Sequence, residues 1–319
     1  MSTKSELLKL LESNKGTYLS GEEMAGRLGC SRTAVWKAMK SLRDDGYKIK
    51  AVNNKGYVLD TDSDILSKEA IRLYLKNKEV FIEVKKEIES TNQYLKKQGI
   101  EENLPAGSFV LAEMQKAGKG RRGRSFFSPE KTGLYMSVLL RPRRTAQESL
   151  NITAAAAVAV CNAVEKICGV TLGIKWVNDL YLKEKKVCGI LTEAVTDFET
   201  GDIEFAVVGI GLNLYFPDGG FPEEIAQTAG ASLERGVYLD RNILAAEIVN
   251  HLLEESEKEG IPAEYIKRNL VPGRTVRVSY GSEERIVLAK EILPDGRLLI
   301  ENQQGEEEIL ICGDVSLKL

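Results

Sequence analysis

Residues 115–124 read Gln-Lys-Ala-Gly-Lys-Gly-Arg-Arg-Gly-Arg and lie between two short predicted strands. Glycine allows the backbone to approach a ligand closely and to adopt positive φ angles. The arginines offer planar forks of donors that suit phosphates and carboxylates. This pattern predicts a loop that wraps an anionic small molecule, although a solvated basic surface loop has the same composition.

A second polar interruption occurs at residues 175–182, which read Lys-Trp-Val-Asn-Asp-Leu-Tyr-Leu. Asn178 and Asp179 break an otherwise apolar predicted strand, so we expect them to face a polar ligand rather than the core. Lys186 opens the return strand, and Gly189 leaves room beside it for a ligand. Taken alone, this pattern is also typical of a plain hairpin.

Two further segments carry polar groups at the ends of predicted strands. Residues 207–214 read Val-Val-Gly-Ile-Gly-Leu-Asn-Leu, and two glycines weaken a strand unless something packs closely against its backbone. Asn213 would bring an amide to the same place. Ser90, Thr91 and Asn92 end a strand and cap a helix, and they could also hydrogen-bond a urea-like polar group. A bulge in a core strand and a simple helix cap are the alternatives.

The bulk composition indicates a soluble globular protein. The chain has 319 residues, 43% of them hydrophobic and 29% charged, which predicts two or three domains. No apolar run reaches the ~18 residues of a membrane helix, and the N-terminus lacks the apolar core of a signal peptide. Five cysteines are scattered singly without metal-ligand spacing. We therefore expect reduced thiols, a cytoplasmic location, no membrane partner and no metal site built by the protein.

The charge distribution sets the first 60 residues apart from the rest. They carry 11 Lys/Arg against 7 Asp/Glu, whereas the remainder carries 33 against 40. A basic head on an acidic body is the asymmetry of a DNA-binding module joined to another domain.

The head has a helix-turn-helix pattern. The order Ser-x-x-Glu at Ser20 predicts the start of a second helix, and Ser31 caps a third. Val35, Ala38, Met39 and Leu42 give that third helix an apolar stripe. The residues expected to meet DNA are Ser31, Arg32, Thr33, Trp36, Lys37 and Lys40. Segments 47–52 and 56–59 predict a β-hairpin wing; a small helical domain for protein contact is the alternative.

The rest of the chain predicts a mixed α/β domain followed by a small β-domain. The segment Asp60–Asp64 is predicted to be a polar linker. The predicted strands are Phe81–Ile88, Ser108–Glu113, Leu134–Leu140, Leu172–Leu182, Val187–Val195 and Glu204–Leu214, and the predicted helices are Thr91–Lys97, Ser149–Ile167 and Arg241–Glu259. Four short strands follow from Thr275 to Ile311, which suggests a small β-barrel. The expected domains are residues 1–63, 64–270 and 271–319.

Four motifs, in this order, resemble those of biotin protein ligases. They are Ser-Thr-Asn at 90–92, Gln-x-Ala-Gly-x-Gly-Arg-Arg-Gly-Arg at 115–124, Lys-Trp-x-Asn-Asp-Leu-Tyr-Leu at 175–182 and Lys-x-x-Gly-Ile-Leu at 186–191. With the helix-turn-helix, essentially the whole chain is similar to ligases that also repress the biotin operon. The resemblance implies a winged helix-turn-helix, an α+β ligase domain with a mixed sheet, and an SH3-like terminal barrel. Lys119 replaces the usual arginine and loses the bidentate fork, and Val177 replaces the usual proline.

The resemblance also implies an activity and partners. ATP and biotin would form biotinyl-5′-AMP with Mg²⁺ bridging the triphosphate, and a lysine of a biotin carboxyl carrier protein would then displace AMP. That acceptor domain would belong to acetyl-CoA or pyruvate carboxylase. Operator DNA and a homodimer induced by biotinyl-5′-AMP would serve repression.

The resemblance assigns roles to residues of the three segments. The catalytic residues would be Lys186, Arg121 and Asp179. The biotin site would comprise Ser90, Thr91, Asn92, Gln115, Gly118, Lys119, Gly120, Arg121, Lys186 and Gly189. The nucleotide site would comprise Arg121, Arg122, Arg124, Asn178 and Asn213. No residue is expected to act as a covalent nucleophile, and the single histidine, His251, falls in a predicted helix with a structural role.

Three alternatives remain at this point. A lipoate ligase shares the catalytic fold and a Lys-x-x-Gly element. A repressor that senses a metabolite could have lost catalysis, although every catalytic position is filled. The helix-turn-helix of an enzyme could also serve only for protein contact.

Overall fold

The computed structural model describes residues 2–142, 149–196, 199–234, 236–280, 283–311 and 314–316. The chain divides into two compact units: Met1–Lys78 with Gly236–Glu247, and Glu79–Arg235 with Ile248–Leu319. The predicted division after residues 63 and 270 stays a prediction. Its first boundary falls inside the first unit, and its second falls inside the second.

The first unit contains the predicted helices and hairpin. Its elements are α1 (Thr3–Glu12), α2 (Gly21–Leu28), α3 (Arg32–Asp44), β1 (Ile49–Val52), β2 (Gly56–Leu59) and α4 (Lys68–Tyr74). Ser20 Oγ accepts from the Glu23 amide at 3.0 Å, and Ser31 Oγ accepts from the Ala34 amide at 3.1 Å. These caps start α2 and α3 where the sequence predicts. Our prediction did not include α4.

The C-terminal end of the segment Asp60–Asp64, predicted to be a polar linker, packs into the first unit. Ser63 is 2% exposed, and Asp64 Oδ2 accepts from the buried Arg241 guanidinium at 2.7 Å. Because Arg241 lies 177 residues downstream, no local sequence pattern predicts this ion pair. The segment is part of the folded first unit.

A seven-stranded mixed sheet forms the centre of the second unit. Its strands are β3 (Ile82–Ile88), β4 (Phe109–Gln115), β5 (Gly133–Leu140), β6 (Gly173–Lys175), β7 (Asp179–Leu182), β8 (Lys185–Thr196) and β9 (Ile203–Asn213). The spatial order is β3-β4-β5-β9-β8-β7-β6, with β3 and β4 parallel and the other pairs antiparallel. β5 is buried along its whole length, as expected of a central strand.

Five helices follow or interrupt these strands along the described part of the chain. They are α5 (Thr91–Glu101), α6 (Ser149–Cys168), α7 (Glu223–Ala226), α8 (Arg241–Ser256, whose first turns belong to the first unit) and α9 (Ala263–Lys267). α5 packs on β4, β5 and β9, and α6 packs on β8. The α5 N-terminus follows β3 directly, which brings Ser90 and Thr91 beside the end of β4.

α6 is more apolar than the sequence analysis anticipated. It has 20 residues and a window of mean hydropathy 1.3, so by length and composition it could cross a membrane. However, 72% of that window is buried inside the protein. Such burial is typical of a core helix.

The single strand predicted over Leu172–Leu182 is wrong. The chain turns back at residues 176–178, so that Lys175 pairs with Asp179 across the β6–β7 hairpin. Tertiary contacts hold this turn: the Trp176 indole donates to Gly296 O at 2.8 Å, and the Tyr265 hydroxyl donates to Val177 O at 2.9 Å. The Trp176–Val177 peptide bond is cis.

A five-stranded antiparallel sheet ends the chain. It comprises β10 (Arg274–Tyr280), β11 (Glu283–Ile292), β12 (Leu298–Glu301), β13 (Glu307–Leu310) and β14 (Asp314–Ser316), in the order β13-β12-β11-β10-β14. The four predicted strands are present and β14 is an addition. The closure of this sheet into an SH3-like barrel stays a prediction.

Candidate functional site

A cavity of about 310 Å³ lies in the second unit, where the α5 N-terminus, the glycine-rich loop and strands β7–β9 meet. Among the described residues that line it, five are basic and one is acidic: Lys119, Arg121, Arg124, Lys175 and Lys186, with Asp179. This lining favours an anionic ligand, because cations in a concave site raise the local potential for anions.

The glycine-rich loop folds back on itself as an irregular hairpin over the cavity. Isolated bridges join Gln115 to Ser128 and Lys119 to Ser125, and the Phe126 amide donates to Gly118 O at 2.8 Å. A Cβ on Gly118 would lie 2.4 Å from Phe126 O, so only glycine permits this close pairing. A single 3-10 turn, Arg121–Gly123, forms the tip.

Arg121 is joined to the opposite wall of the cavity. Its Nη1 donates to Asn178 Oδ1 at 3.0 Å, and Asn178 Nδ2 donates to Ile190 O at 2.7 Å. Asn178 is therefore held between the loop and β8, which fixes its orientation. Arg121 and Asn178 thus both line the cavity and are hydrogen-bonded across it.

An ion pair forms the centre of the basic lining. Lys186 Nζ lies 2.7 Å from Asp179 Oδ1, and Lys175 Nζ lies 3.9 Å from Asp179 Oδ2. Asp179 is mostly buried, with a side-chain exposure of 16%. Burial, helped by the charge of Asp179, raises the pKa of Tyr181. The Tyr181 hydroxyl therefore stays protonated near neutral pH.

The opposite end of the cavity is polar and uncharged. The Thr91 amide donates to Gln115 Oε1 at 2.9 Å, and Gln115 Nε2 donates to Ser128 Oγ at 3.0 Å. Ser90 caps α5 by accepting from the Gln93 amide at 3.4 Å. These groups suit a neutral ligand with both donors and acceptors, such as a urea.

The glycines of β8 and β9 are explained by two side chains that pack on them. A Cβ on Gly209 would lie 2.2 Å from Asn92 Oδ1, and a Cβ on Gly211 would lie 2.5 Å from the Phe126 ring. A Cβ on Gly189 would lie 3.3 Å from the same ring and 3.3 Å from the Lys186 amine. Gly189 itself lines the cavity, and its role in leaving room for a ligand stays a prediction.

The structure brings together most of the predicted ligand-site residues. Those that line the cavity are Ser90, Thr91, Asn92, Gln115, Lys119, Gly120, Arg121, Arg124, Asn178, Asp179, Lys186 and Gly189. Three others do not line it. Gly118 shapes the loop, Arg122 is exposed and donates to Ser279 O at 3.5 Å, and buried Asn213 donates to Gly230 O at 3.2 Å.

Sequence reasoning missed several residues around the cavity. Phe126 follows the basic loop directly, and its aromatic character next to the glycines was an available signal. Tyr181 belongs to the segment 175–182, but that segment was predicted to be one strand, whereas it forms the β6–β7 hairpin. Ser137 on β5 is fully buried beneath Thr91 and Asn92. Nothing in the local sequence distinguishes it from a core serine.

Cys188 lies on β8 between Lys186 and Gly189, which both line the cavity. Burial raises the pKa of the Cys188 thiol far above neutrality, so it stays protonated and unreactive. Cys312 lies outside the described residues. Among the described residues no group of three His, Cys, Asp or Glu could hold a metal ion.

The third helix of the first unit presents the predicted DNA-contacting face. Its buried stripe is Val35, Ala38, Met39 and Leu42. The opposite side exposes Ser31, Arg32, Thr33, Trp36, Lys37 and Lys40. Trp36 is 56% exposed with the Lys40 amine 6.0 Å from its ring centroid, an apolar surface held among cations.

Two family models match this chain, one over the region that holds the cavity and one over the region that holds α3. A family model described as "Biotin/lipoate A/B protein ligase family" matches residues 84–213, and one described as "HTH domain" matches residues 3–58. The bifunctional ligase/repressor BirA of Bacillus spizizenii is 34% identical over 95% of each chain. That of Escherichia coli K12 is 34% identical over 95% of this chain and 94% of its own.

The chain belongs to the biotin/lipoate A/B protein ligase family. Solved structures agree: a biotin protein ligase from Aquifex aeolicus, in complex with biotin and ATP, has a TM-score of 0.61 and 27% identity. It covers 74% of this chain and 97% of its own.

The two matched ranges cover most of the described cavity lining and the exposed face of α3. Of the residues that line the cavity, only Ile225 and Thr228 lie outside residues 84–213. The helix-turn-helix match contains all six predicted DNA-contacting residues and ends before α4.

Proposed function

We propose that this chain is an ATP-dependent biotin protein ligase that is also a biotinyl-5′-AMP-dependent repressor of the biotin operon. One observation carries the ligase half: a single cavity has a neutral polar end at Thr91 and Gln115 and a strongly basic end at Arg121 and Lys186. Biotin has the same polarity, with a ureido group at one end and a carboxylate at the other. Curated relatives of nearly the same length as this chain bear the name bifunctional ligase/repressor.

The binding assignment follows from this polarity. The ureido head of biotin lies against Ser90, Thr91 and Gln115, and its carboxylate lies toward Lys186. The nucleotide phosphates lie under the basic loop, against Lys119 and Arg121. The same cations cover both ligands because both are anionic. Arg124, which lines the cavity, also contacts the nucleotide. Arg122 and Asn213, which do not line it, reach the nucleotide only after their surroundings rearrange around ATP.

The first step joins two anions. A carboxylate oxygen of biotin attacks the α-phosphorus of ATP, the bond to the bridging oxygen breaks, and pyrophosphate leaves. Positioned cations offset the repulsion between carboxylate and triphosphate. Lys186 exchanges its pairing with Asp179 for the biotin carboxylate, and Arg121 holds the α-phosphate.

The second step transfers the biotinyl group. The ε-amine of one carrier lysine attacks the carbonyl carbon of the mixed anhydride, and AMP leaves. The amine must lose a proton, and Asp179, released from Lys186, orients the amine and accepts that proton. No covalent enzyme intermediate is involved, in agreement with the inert buried thiol of Cys188.

Mg²⁺ enters as part of the substrate, Mg-ATP. Asp179 is the one carboxylate among the described residues that line the cavity, and it is paired with Lys186. This chemistry fits an ion that is held by the triphosphate and water and that binds few protein oxygens.

The repressor half rests on the exposed face of α3. A single helix-turn-helix reads one half-site, and a useful operator affinity needs two half-sites related by a dyad. We therefore propose that biotinyl-5′-AMP favours a homodimer that binds operator DNA. The ligand shifts this equilibrium only as far as it binds the dimer better than the monomer. The protein acts in the cytoplasm, without a membrane partner.

The ligase half is tested by incubating the chain with Mg-ATP, a biotin carboxyl carrier domain, and either biotin or lipoate. The acceptor domain is taken from acetyl-CoA or pyruvate carboxylase. Mass spectrometry is expected to find biotin on one lysine and no lipoyl group. Lipoyl transfer in place of biotinyl transfer would assign the chain to the lipoate branch.

The repressor half is tested by sedimentation and by DNA binding, each with and without biotinyl-5′-AMP. We expect the mass to double and the operator affinity to rise when the ligand is present. If neither the mass nor the operator affinity changed with the ligand, the chain would be a ligase whose DNA-binding domain is not regulated by biotinyl-5′-AMP.

A further inference from the structure

A fully buried serine links two residues at the neutral end of the cavity. Ser137 is 0% exposed and lies on β5. Its Oγ lies 2.8 Å from Thr91 Oγ1 and 2.6 Å from Asn92 Oδ1. A hydroxyl has one hydrogen, so it cannot donate to both oxygens.

The Asn92 amide decides which oxygen receives that hydrogen. Asn92 Nδ2 lies 2.9 Å from Glu193 Oε2 and 3.2 Å from Leu191 O. A carboxylate and a carbonyl only accept, so the NH₂ group must face them and Oδ1 must face Ser137. Amide oxygens carry no hydrogen, and the Ser137 hydroxyl therefore donates to Asn92 Oδ1.

The position of Asn92 is itself imposed by the sheet. Its side chain lies across Gly209, where a Cβ would approach Asn92 Oδ1 to 2.2 Å. Asn92 is 4% exposed, and both of its polar atoms are engaged by protein groups. Although it lines the cavity, its amide has no hydrogen left to offer a ligand.

The remaining hydrogen belongs to the Thr91 hydroxyl. Two hydroxyl oxygens 2.8 Å apart repel unless a hydrogen lies between them. Because the Ser137 hydrogen points to Asn92, the Thr91 hydroxyl must donate to Ser137 Oγ. A second protein oxygen, Gln115 Oε1, lies farther away at 3.1 Å and is a weaker acceptor for the same hydrogen.

We propose that Glu193, Asn92 and Ser137 form a positioning relay that makes Thr91 Oγ1 a hydrogen-bond acceptor toward the ligand. This inference rests on the proposed biotin site and specifies how it chooses its substrate. The cavity then favours a ring that presents an N–H to Thr91 and rejects a ring that presents a lone pair there. A ureido ring offers two N–H groups, whereas the dithiolane ring of lipoate offers none.

The relay is tested with biotin and two cyclic carbamate analogues, in each of which oxygen replaces one ureido N–H. Calorimetry measures the affinity of the purified full-length chain for each ligand. We expect the wild type to prefer biotin over the analogue that faces Thr91 by ~100-fold or more, because two acceptors then oppose each other. In Ser137→Ala the Thr91 hydroxyl loses its nearer acceptor and keeps only Gln115 Oε1 at 3.1 Å. It can then rotate to donate to the carbamate oxygen, so this preference falls by ~10-fold or more.

Ser108→Ala is the matched control. Ser108 is also a 0% exposed serine of the same sheet region, and its Oγ has no hydrogen-bond partner. It should keep the wild-type preference. Glu193→Ala is a second relay variant on a partly exposed side chain; it releases the Asn92 amide and should also reduce the preference.

A double variant separates positioning from general damage. In Thr91→Val the hydroxyl is lost, so adding Ser137→Ala should change the preference no further. If Ser137 served only in packing, Ser137→Ala would lower the affinity for biotin and for both carbamate analogues equally. An unchanged preference in folded Ser137→Ala and Glu193→Ala that still bind biotin would overturn the relay alone, whereas a wild type that binds no biotin would overturn the proposed function and the relay with it.

Discussion

Replacing Lys186 by methionine removes one charge from the basic end of the cavity and keeps most of the side-chain volume. In the structure its amine lies 2.7 Å from Asp179 Oδ1. During adenylation, on our proposal, it faces the biotin carboxylate instead. Two unit charges about 4 Å apart near a protein surface interact by about 4 kcal/mol. Loss of that interaction in the transition state corresponds to a fall of about three decades in rate.

The same substitution should hardly affect folding. The Lys186 side chain is 33% exposed, and Lys175 remains 3.9 Å from Asp179, so the mostly buried carboxylate keeps a cationic partner. The lost pair should then contribute about 1 kcal/mol to the free energy of unfolding. The melting temperature should therefore fall by no more than about 2–4 °C. The two assays are biotin-dependent exchange of pyrophosphate into ATP and thermal unfolding followed by circular dichroism.

Lys185→Met is the matched control. Lys185 is the preceding residue of β8, but its exposed amine donates to Gln227 O at 2.7 Å and does not line the cavity. Its variant should keep exchange within about twofold of the wild type, as is usual for exposed surface changes. An equal loss of exchange in both variants, or a loss that merely tracks the melting temperature, would refute the electrostatic role of Lys186.

Three further predictions address the loop, the head and its buried charges. Arg121→Gly should release biotinyl-5′-AMP, since the lost charge-assisted contact is worth about 1.5–3 kcal/mol; lysines of an unrelated protein would then be biotinylated, and labelling confined to the carrier at the wild-type rate would contradict this. Trp36→Ala should weaken operator binding by about tenfold without lowering the melting temperature, because the ring is 56% exposed; an unchanged affinity in a gel-shift titration would exclude a DNA contact. Burial, partly offset by Lys15, raises the pKa of Glu12 from 4.5 to about 7. Stability linked to Glu12 is thus complete below pH 4.5 and is lost as the pH rises through 7, by up to about 3 kcal/mol, so Glu12→Gln should gain stability relative to the wild type between pH 5 and 8. Denaturant titrations of the wild type and of Glu12→Gln at pH 5 and pH 8 test this. If the difference in their free energies of unfolding were the same at both pH values, the prediction would be contradicted.

The sequence predicted the helix-turn-helix because its information is local. Caps at Ser20 and Ser31 and the apolar stripe of α3 each lie within a few residues of one another, and the structure places them as expected. The ligand-site motifs were equally readable, since glycine beside basic residues has few structural explanations. Twelve of the predicted ligand-site residues line one cavity, although their contacts with ligands remain predictions.

The errors arose where distant residues decide the local structure. Residues 176–178 turn because Gly296 and Tyr265 bind the turn from far along the chain. Asp64 is paired with Arg241 from 177 residues downstream, and Ser137 acquires its partners only when β5 meets α5. Side-chain patterns within a window of a few residues contain none of these contacts.

The central claim is that one cavity makes an adenylate, retains it and delivers it to a lysine. A single-turnover experiment tests all three parts: the chain is mixed with one equivalent each of biotin and Mg-ATP, passed through a desalting column, and then mixed with the carboxyl carrier domain. We expect one equivalent of biotinyl-5′-AMP to remain with the protein and to pass to one carrier lysine with release of AMP. An eluate without bound adenylate, or a retained adenylate that the carrier cannot discharge, would contradict the claim.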